Sequence, residues 1–185
     1  MDLNQTCHTT NIIQENTMID NNYAWYPVYT RSKAEKAAFS ALKRKNITAY
    51  LPLKKELKQW SDRKKIIEVP LLQSYLFTYI SMKEYAEVLM TKGIARFIYF
   101  SGNIARIPEK QLEDLRLLLT DGSDLEIYTE HIAPGEKVLI RAGPFKGILA
   151  ELVSVRNQKN IVLRLEQIGC SIQIKTSMSF IELIR

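Results

Sequence analysis

Two hydrophobic periods run along this chain, and one of them stops partway. From Ala24 to Leu119, short alternating runs are interleaved with stripes of helical spacing. From Glu136 to Arg185 only short alternations remain. A period of two fits a strand, and a recurrence every three to four residues fits a helix. The densest run is Leu71 to Ile80, which carries no charge. Within it Tyr75, Phe77 and Tyr79 fall on one face of an extended chain, and Leu76, Thr78 and Ile80 on the other. Its aromatic residues favour strand, and Pro70 can stand at its start. A strand apolar on both faces is expected at the centre of a sheet. Two readings follow: both faces are covered, or the aromatic face stays open for a partner.

The flanking pattern is regular. Ala24 opens an aromatic strand, Trp25-Tyr26-Pro27-Val28-Tyr29, in which Pro27 points to an edge or a bulge. Ser32 and Glu35 have capping-box spacing. A helix over about Lys33 to Lys45 follows, with Ala34, Ala38, Phe39 and Leu42 on its apolar side and Asn46 as its stop. Ala49 to Trp60 reads as a strand, Ser61-Asp62 as a turn, and Lys64 to Val69 as the returning strand. Ser81 and Glu84 form a second capping box before a helix bearing Tyr85, Val88 and Leu89, closed by Gly93. Ile94 to Phe100 is a strand and Gly102-Asn103 a turn. Pro108 starts a third helix lined by Leu112, Leu115 and Leu119. The order β-α-β-β-β-α-β-α makes this an α+β unit with an antiparallel sheet.

Thr120 to Ala133 reads as a linker with one short strand, Leu125 to Tyr128. Beyond it, Val138–Arg141, Ile148–Val155, Ile161–Leu165, Ile172–Lys175 and Phe180–Ile184 read as strands. Gly143-Pro144, Asn157–Asn160 and Gly169 are turns. Short strands packed this densely suggest a small closed all-β barrel. The expected organisation is a polar, disordered tail over 1–22, an α+β domain over 23–119, a linker over 120–133 and a barrel over 134–185.

Composition sharpens the picture. The 185 residues include 46% hydrophobic side chains, enough for a core. The net charge is +6, which favours a polyanionic partner. The basic residues cluster in the predicted hairpin: Lys54, Lys55, Lys58, Arg63, Lys64 and Lys65, with Trp60 near its tip. That cluster reads either as a solvated hairpin with edge lysines or as a nucleic-acid contact. Cys7 and Cys170 lie too far apart in sequence for a ligand motif and suggest a reducing compartment. Cys7-His8 supplies two ligands where structural zinc takes four. His8 and His131 sit in tail and linker, and no nucleophile elbow, phosphate loop or carboxylate-metal motif occurs, so no enzyme and no cofactor is expected. With no signal peptide and no apolar run of about 18 residues, a soluble cytoplasmic protein without membrane contact is expected.

Three pieces carry a resemblance. Trp25-Tyr26 with the helix after Ser32 is similar to the start of the NusG N-terminal domain. Ser74-Tyr75-Leu76-Phe77 is similar to that family's central strand. Pro134-Gly135-Glu136-Lys137-Val138 with Gly143-Pro144-Phe145-Lys146-Gly147 resembles a KOW motif. Over Ala24 to Arg185 the chain thus resembles the NusG family of transcription elongation factors, and more closely its specialised paralogues of the RfaH and UpxY type. The resemblance implies a monomer that binds the clamp helices of RNA polymerase and suppresses pausing or termination, in the paralogues on specific operons such as those for capsular or surface polysaccharide. The implied polymerase-binding residues are Tyr29, Tyr75, Phe77, Phe100 and Leu112. Arg31, Ser32, Lys33, Lys36, Thr91 and Lys92 stand where the paralogues meet displaced DNA or beside those positions. The barrel could reach nascent RNA, a ribosome or a termination factor. Two alternatives remain, a general NusG-type factor and a KOW RNA-binding module acting away from polymerase. Gln73 replaces the family's Pro, Glu84-Tyr85-Ala86 stand where one paralogue has His-Thr-Thr for a gate-loop contact, and Ala150 stands where many members have Gly.

Overall fold

The computed structural model describes residues 21–59, 63–120, 125–130, 132–155 and 158–184. The expected disordered tail apart from its last residues, the Cys7-His8 pair, Trp60, the Ser61-Asp62 turn, His131 and Asn157 lie outside them. The first unit is built on a four-stranded antiparallel sheet. Its strands are β1 (Ala24–Thr30), β2 (Thr48–Tyr50), β5 (Tyr75–Ile80) and β6 (Ile94–Phe97), in the order β2-β5-β1-β6. Between β2 and β5 in sequence, β3 (Leu53–Gln59) and β4 (Lys64–Pro70) form a separate two-stranded ribbon. The helices are α1 (Glu35–Arg44), α2 (Tyr85–Leu89) and α3 (Glu109–Thr120), and β7 (Tyr99–Phe100) pairs with β8 (Asn103–Ile104).

The expected strand Leu71–Ile80 is shorter than its apolar run. Leu71 to Ser74 form a turn, because Ser74 takes a left-handed backbone, φ 64°. Leu71 and Leu72 are apolar because they are buried there. β5 is an inner strand, as expected. Its Leu76 and Ile80 pack with Val28, Ala38 and Leu42 beneath α1. Phe77, with Tyr75 and Tyr79 at its sides, packs on the other face with Trp25, Leu112 and Leu115. Both faces are therefore covered.

Pro27 does not mark an edge, since β1 lies between β5 and β6. The Pro27 carbonyl accepts from Ile98 N at 3.2 Å, and the Ile98 carbonyl is taken by Ala105 N at 2.8 Å. A residue's N–H and C=O point to the same side of a strand. The acceptor that an N–H at position 27 would have used is thus already satisfied. The expected strand from Ala49 to Trp60 breaks at Leu51-Pro52, and the Ile94–Phe100 strand breaks at Ile98, leaving its halves in different sheets.

The second capping box forms: Ser81 N–H and Oγ–H both donate to Glu84 Oε2, at 3.0 and 2.7 Å. The first does not. α1 starts later than expected, Ala34 makes no side-chain cap, and Lys33 is left-handed at φ 59°. Glu35 is buried and accepts instead from Ser74 N at 2.8 Å. Asn46 ends α1 in a left-handed conformation, φ 58°, as expected. On α3 the buried face is Leu112, Leu115 and Leu118, with Leu119 only partly buried, and it includes Asp114, which is held by Lys110 at 2.6 Å.

The second unit is a six-stranded antiparallel sheet in the order β14-β10-β11-β12-β13-β9. Its strands are β9 (Ile127–Tyr128), β10 (Glu136–Ile140), β11 (Leu149–Val155), β12 (Gln158–Leu165), β13 (Cys170–Gln173) and β14 (Ile181–Leu183). The expected closure is not found: no ladder joins β14 to β9 among the described residues. The linker supplies the reason. Its strand β9 takes the outer edge of β13, with Gln173 N donating to Glu126 O at 2.8 Å. Among the described residues no helix is long and apolar enough to cross a membrane.

Candidate functional site

The site begins with two tyrosines. Antiparallel pairing puts Tyr29 of β1 opposite Tyr75 of β5. Their rings meet edge to face at 5.5 Å, a favoured aromatic geometry. Arg96, opposite Tyr29 on β6, lies 5.7 Å from its ring centroid. Tyr29 keeps 36% of its surface exposed. Tyr75 is half-buried, and burial is the main cause that raises its hydroxyl pKa, with Cys170 and Tyr29 adding and Arg96 opposing.

The other three residues of the implied polymerase face divide. Phe100 is exposed on β7. Phe77 and Leu112 have no exposed surface at all, since both belong to the core beneath the sheet. Phe77 also stacks on Tyr50 at 6.3 Å. Arg116 of α3 lies over Tyr50 and Trp25, at 4.8 and 5.4 Å. As the chain stands here, Phe77 and Leu112 support this face from below rather than presenting it.

The second unit leans on the same place. The core around Phe77, Leu112 and Leu115 continues through Leu71 and Leu125 to Ile168, Cys170 and Ile172. Tyr29 and Tyr75 share an open cleft of about 1180 Å³ with Ile168, Gly169 and Cys170. The Cys170 thiol is buried there, and burial pushes its pKa up to about 12.

Of the implied nucleic-acid residues, Ser32, Lys33 and Lys36 line this cleft, and Arg31, Arg63, Lys64, Lys65, Thr91 and Lys92 do not. Lys33 and Lys36 form one wall, and Lys54, Glu56 and Lys58 of the ribbon face them. Lys36 Nζ reaches the Glu68 carbonyl at 2.6 Å and ties α1 to the ribbon. Arg31 and Ser32 are exposed, and Arg31 N donates to Gly93 O at 2.8 Å, which brings Arg31 beside exposed Lys92. Gly93 closes that corner at φ 97°, because a Cβ there would stand 3.2 Å from the Cβ of Ala38. Thr91 does not join them. It is buried, its hydroxyl donates to Glu87 O at 2.8 Å, and it accepts from Lys45 Nζ at 3.1 Å. Arg63, Lys64 and Lys65 are exposed at the start of β4.

The glycine-rich motif of the second unit has a steric basis. A Cβ on Gly135 would stand 2.0 Å from the Leu152 carbonyl oxygen. Gly143 and Gly147 take positive φ, 81° and 93°. Val138 and Phe145 are buried, Pro144 is exposed, and Ala150 fits buried opposite Val138. Sequence reasoning missed Arg164. It pairs with Glu151 at 2.8 Å and donates to the carbonyls of Ile132 and Ala133, at 3.0 and 3.3 Å, fastening the linker to the sheet. Its only sequence signal is a charge inside an apolar strand. Glu35 was missed as a tether because its spacing fits a cap. Among the described residues no group of three or more His, Cys, Asp or Glu is placed to hold a metal.

Comparison with known proteins places the chain beside the following relatives. The family described as "Transcription termination factor nusG" matches residues 23–116. Among solved structures, one titled "Domain interaction in Thermotoga maritima NusG" aligns at TM-score 0.50 and 16% identity, over 89% of this chain and 98% of that one. Another, titled "Crystal Structure of MjSpt4:Spt5 complex conformation A", has TM-score 0.29 and 17% identity, over 86% and 97%. No curated protein sequence matches significantly. The family match spans more than half of the chain and includes every element of the α+β unit through most of α3, so the chain belongs to the NusG family.

Proposed function

We propose that this protein is a specialised NusG-family antitermination and elongation factor. It binds the clamp helices of RNA polymerase and suppresses pausing or termination on specific operons, such as those for capsular or surface polysaccharide. The observation that carries this reading is the Tyr29–Tyr75 pair, two rings at the rim of a sheet, with Phe100 exposed on the neighbouring hairpin. Aromatic anchors of this kind dominate protein interfaces. The second unit, read as a KOW module, is in its β form and borders Tyr75, so full use of that ring requires the module to move aside. The basic ribbon and α1 then face nucleic acid, and the module is free to meet nascent RNA, a ribosome or a termination factor. The general NusG-type role is the second reading, and a deletion that disturbs transcription broadly rather than at one operon favours it.

The decisive test is binding to purified polymerase. Tyr29→Ala with Tyr75→Ala removes one exposed ring and one half-buried ring at the edge of the core, and leaves the fully buried Phe77 in place. At about 2 kcal/mol for each hot-spot ring, loss of one ring weakens binding about 30-fold, and the double variant binds about 1,000-fold more weakly. Unchanged binding overturns the assignment. Transcription in vitro on the protein's own leader DNA then separates operon-specific from general action.

A further inference from the structure

The second sheet carries a row of amides that its packing does not require. Gln158 and Asn160 alternate with Lys159 on β12 and so share a face, and Gln173 of β13 lies beside them. The opposite face of the same two strands is apolar, with Ile161, Leu163 and Ile172 buried. A chain of hydrogen bonds holds the amides in place. The Tyr128 hydroxyl donates to Gln173 Oε1 at 3.0 Å, Gln173 Nε2 to Asn160 Oδ1 at 2.7 Å, and Asn160 Nδ2 to the Gln158 carbonyl at 3.0 Å. These groups, with Glu126 and Val155, line a cavity of about 190 Å³. The linker strand β9 completes it. Glu126 O accepts from Gln173 N at 2.8 Å, which sets the exposed Glu126 side chain at the rim. Lys175 Nζ stands 4.0 Å from its carboxylate.

We propose that this cavity takes one guanine base of a flexible single strand. The inference rests on the reading that the second unit meets nucleic acid, and it names the group that the unit selects. The donor and acceptor set excludes simpler ligands. An anion would meet Glu126. A lysine or arginine side chain would pair with Glu126 and leave amide donors unused. Each side-chain amide has two N–H groups, and among the described residues Asn160 and Gln173 commit one apiece. A donor left without an acceptor on binding costs its desolvation. A base edge presents donors and acceptors together. Guanine alone sets two N–H groups side by side, N1 and N2, which match the two oxygens of Glu126. Its O6 then accepts from an amide N–H. Val155 and the Tyr128 ring give its faces apolar walls, the environment in which unstacked bases are held. Lys175, beside the carboxylate, stands where the adjoining phosphate would pass. Nascent RNA and a displaced DNA strand present the same base.

The test is fluorescence anisotropy of the full chain, without polymerase, against labelled single-stranded hexamers. Each is oligouridine with one guanine, adenine or hypoxanthine inserted, and each has a DNA counterpart. The guanine hexamer binds about tenfold tighter than the adenine one, as one bidentate base contact provides. Hypoxanthine lacks the N2 amino group and loses most of that gain. Glu126→Gln abolishes the preference for guanine, leaves binding of the adenine hexamer no weaker and keeps the parent's Tm. A merely structural role would move the Tm and both affinities together. Tighter binding of the ribose guanine hexamer supports the pocket with nascent RNA as its source, and tighter binding of the deoxyribose one supports it with the displaced strand. Equal binding of guanine and adenine hexamers overturns the inference and leaves the nucleic-acid reading standing. No binding of any hexamer overturns both. A Glu126→Gln variant that still prefers guanine overturns the placement.

Discussion

Glu35 shows how one residue can satisfy a sequence rule and do something else. Its spacing from Ser32 fits a capping box, yet its carboxylate accepts the Ser74 N–H at 2.8 Å. Ser74 O in turn accepts from Thr30 N at 2.8 Å. The left-handed turn before Tyr75 is thus held from both sides. Glu35→Ala leaves the half-buried Ser74 N–H without its acceptor and lowers stability by about 1 kcal/mol, measured by urea unfolding, whereas Glu35→Gln keeps an acceptor and most of the stability. An alanine variant as stable as the parent removes the tether from the account. Glu84 makes a second case. The Tyr23 hydroxyl, then Ser81, hold its carboxyl down at about 2, from 4.5. A folded-state pKa below the unfolded one adds stability that is present above pH 4.5 and is lost as the pH falls towards 2. Glu84→Gln therefore flattens the decline of Tm over that window, and an unchanged acid profile contradicts it. The second capping box was legible because its partners lie three residues apart. The Glu35 tether was not, because its partner lies 39 residues away.

At the scale of elements, periodicity located most strands and all three helices, and it failed at their ends. Leu71 and Leu72 are apolar for burial in a turn and not for strand pairing, so the pattern overran the strand. Pro27 misled in the other direction, since its missing N–H faces a carbonyl already bonded elsewhere. The short linker strand β9 was foreseen, but not its pairing with β13, and that pairing leaves the second sheet unclosed. Arg164 holds the linker by a half-buried ion pair and two carbonyl contacts. Arg164→Ala leaves Glu151 and both carbonyls short of a donor, and costs about 3 kcal/mol in a denaturant titration. A loss under about 0.5 kcal/mol means that β9 holds without it. Gly135→Ala is disruptive by a different route, because its Cβ would overlap the Leu152 carbonyl oxygen. Overpacking of this kind costs about 1–3 kcal/mol.

At the scale of the molecule, the two units share one apolar core that runs from Phe77 and Leu112 to Ile168 and Ile172. Cys170 is buried in that junction beside Tyr75, and its thiol is pushed up to about 12. A thiol reacts as its thiolate, so Cys170 resists alkylation while the units stay packed. If polymerase takes over the Tyr75 face, the second unit moves and Cys170 is uncovered. In a Cys7→Ser background, polymerase then speeds alkylation of Cys170 at least about tenfold. An unchanged rate in the presence of bound polymerase means that the factor binds without opening.

The sequence by itself determined the α+β unit, the all-β unit after it, the basic hairpin and the glycine turns of the second sheet. Each of these is written in neighbours two to four residues apart, where backbone geometry leaves few choices. Only the tertiary structure decided that Phe77 and Leu112 lie buried, that Thr91 turns inward, that Lys33 and Lys36 face the ribbon across one cleft, and that Cys170 meets Tyr75. Those juxtapositions join segments up to about a hundred residues apart. Many pairings of apolar faces satisfy the same local pattern, and only packing the whole chain selects one.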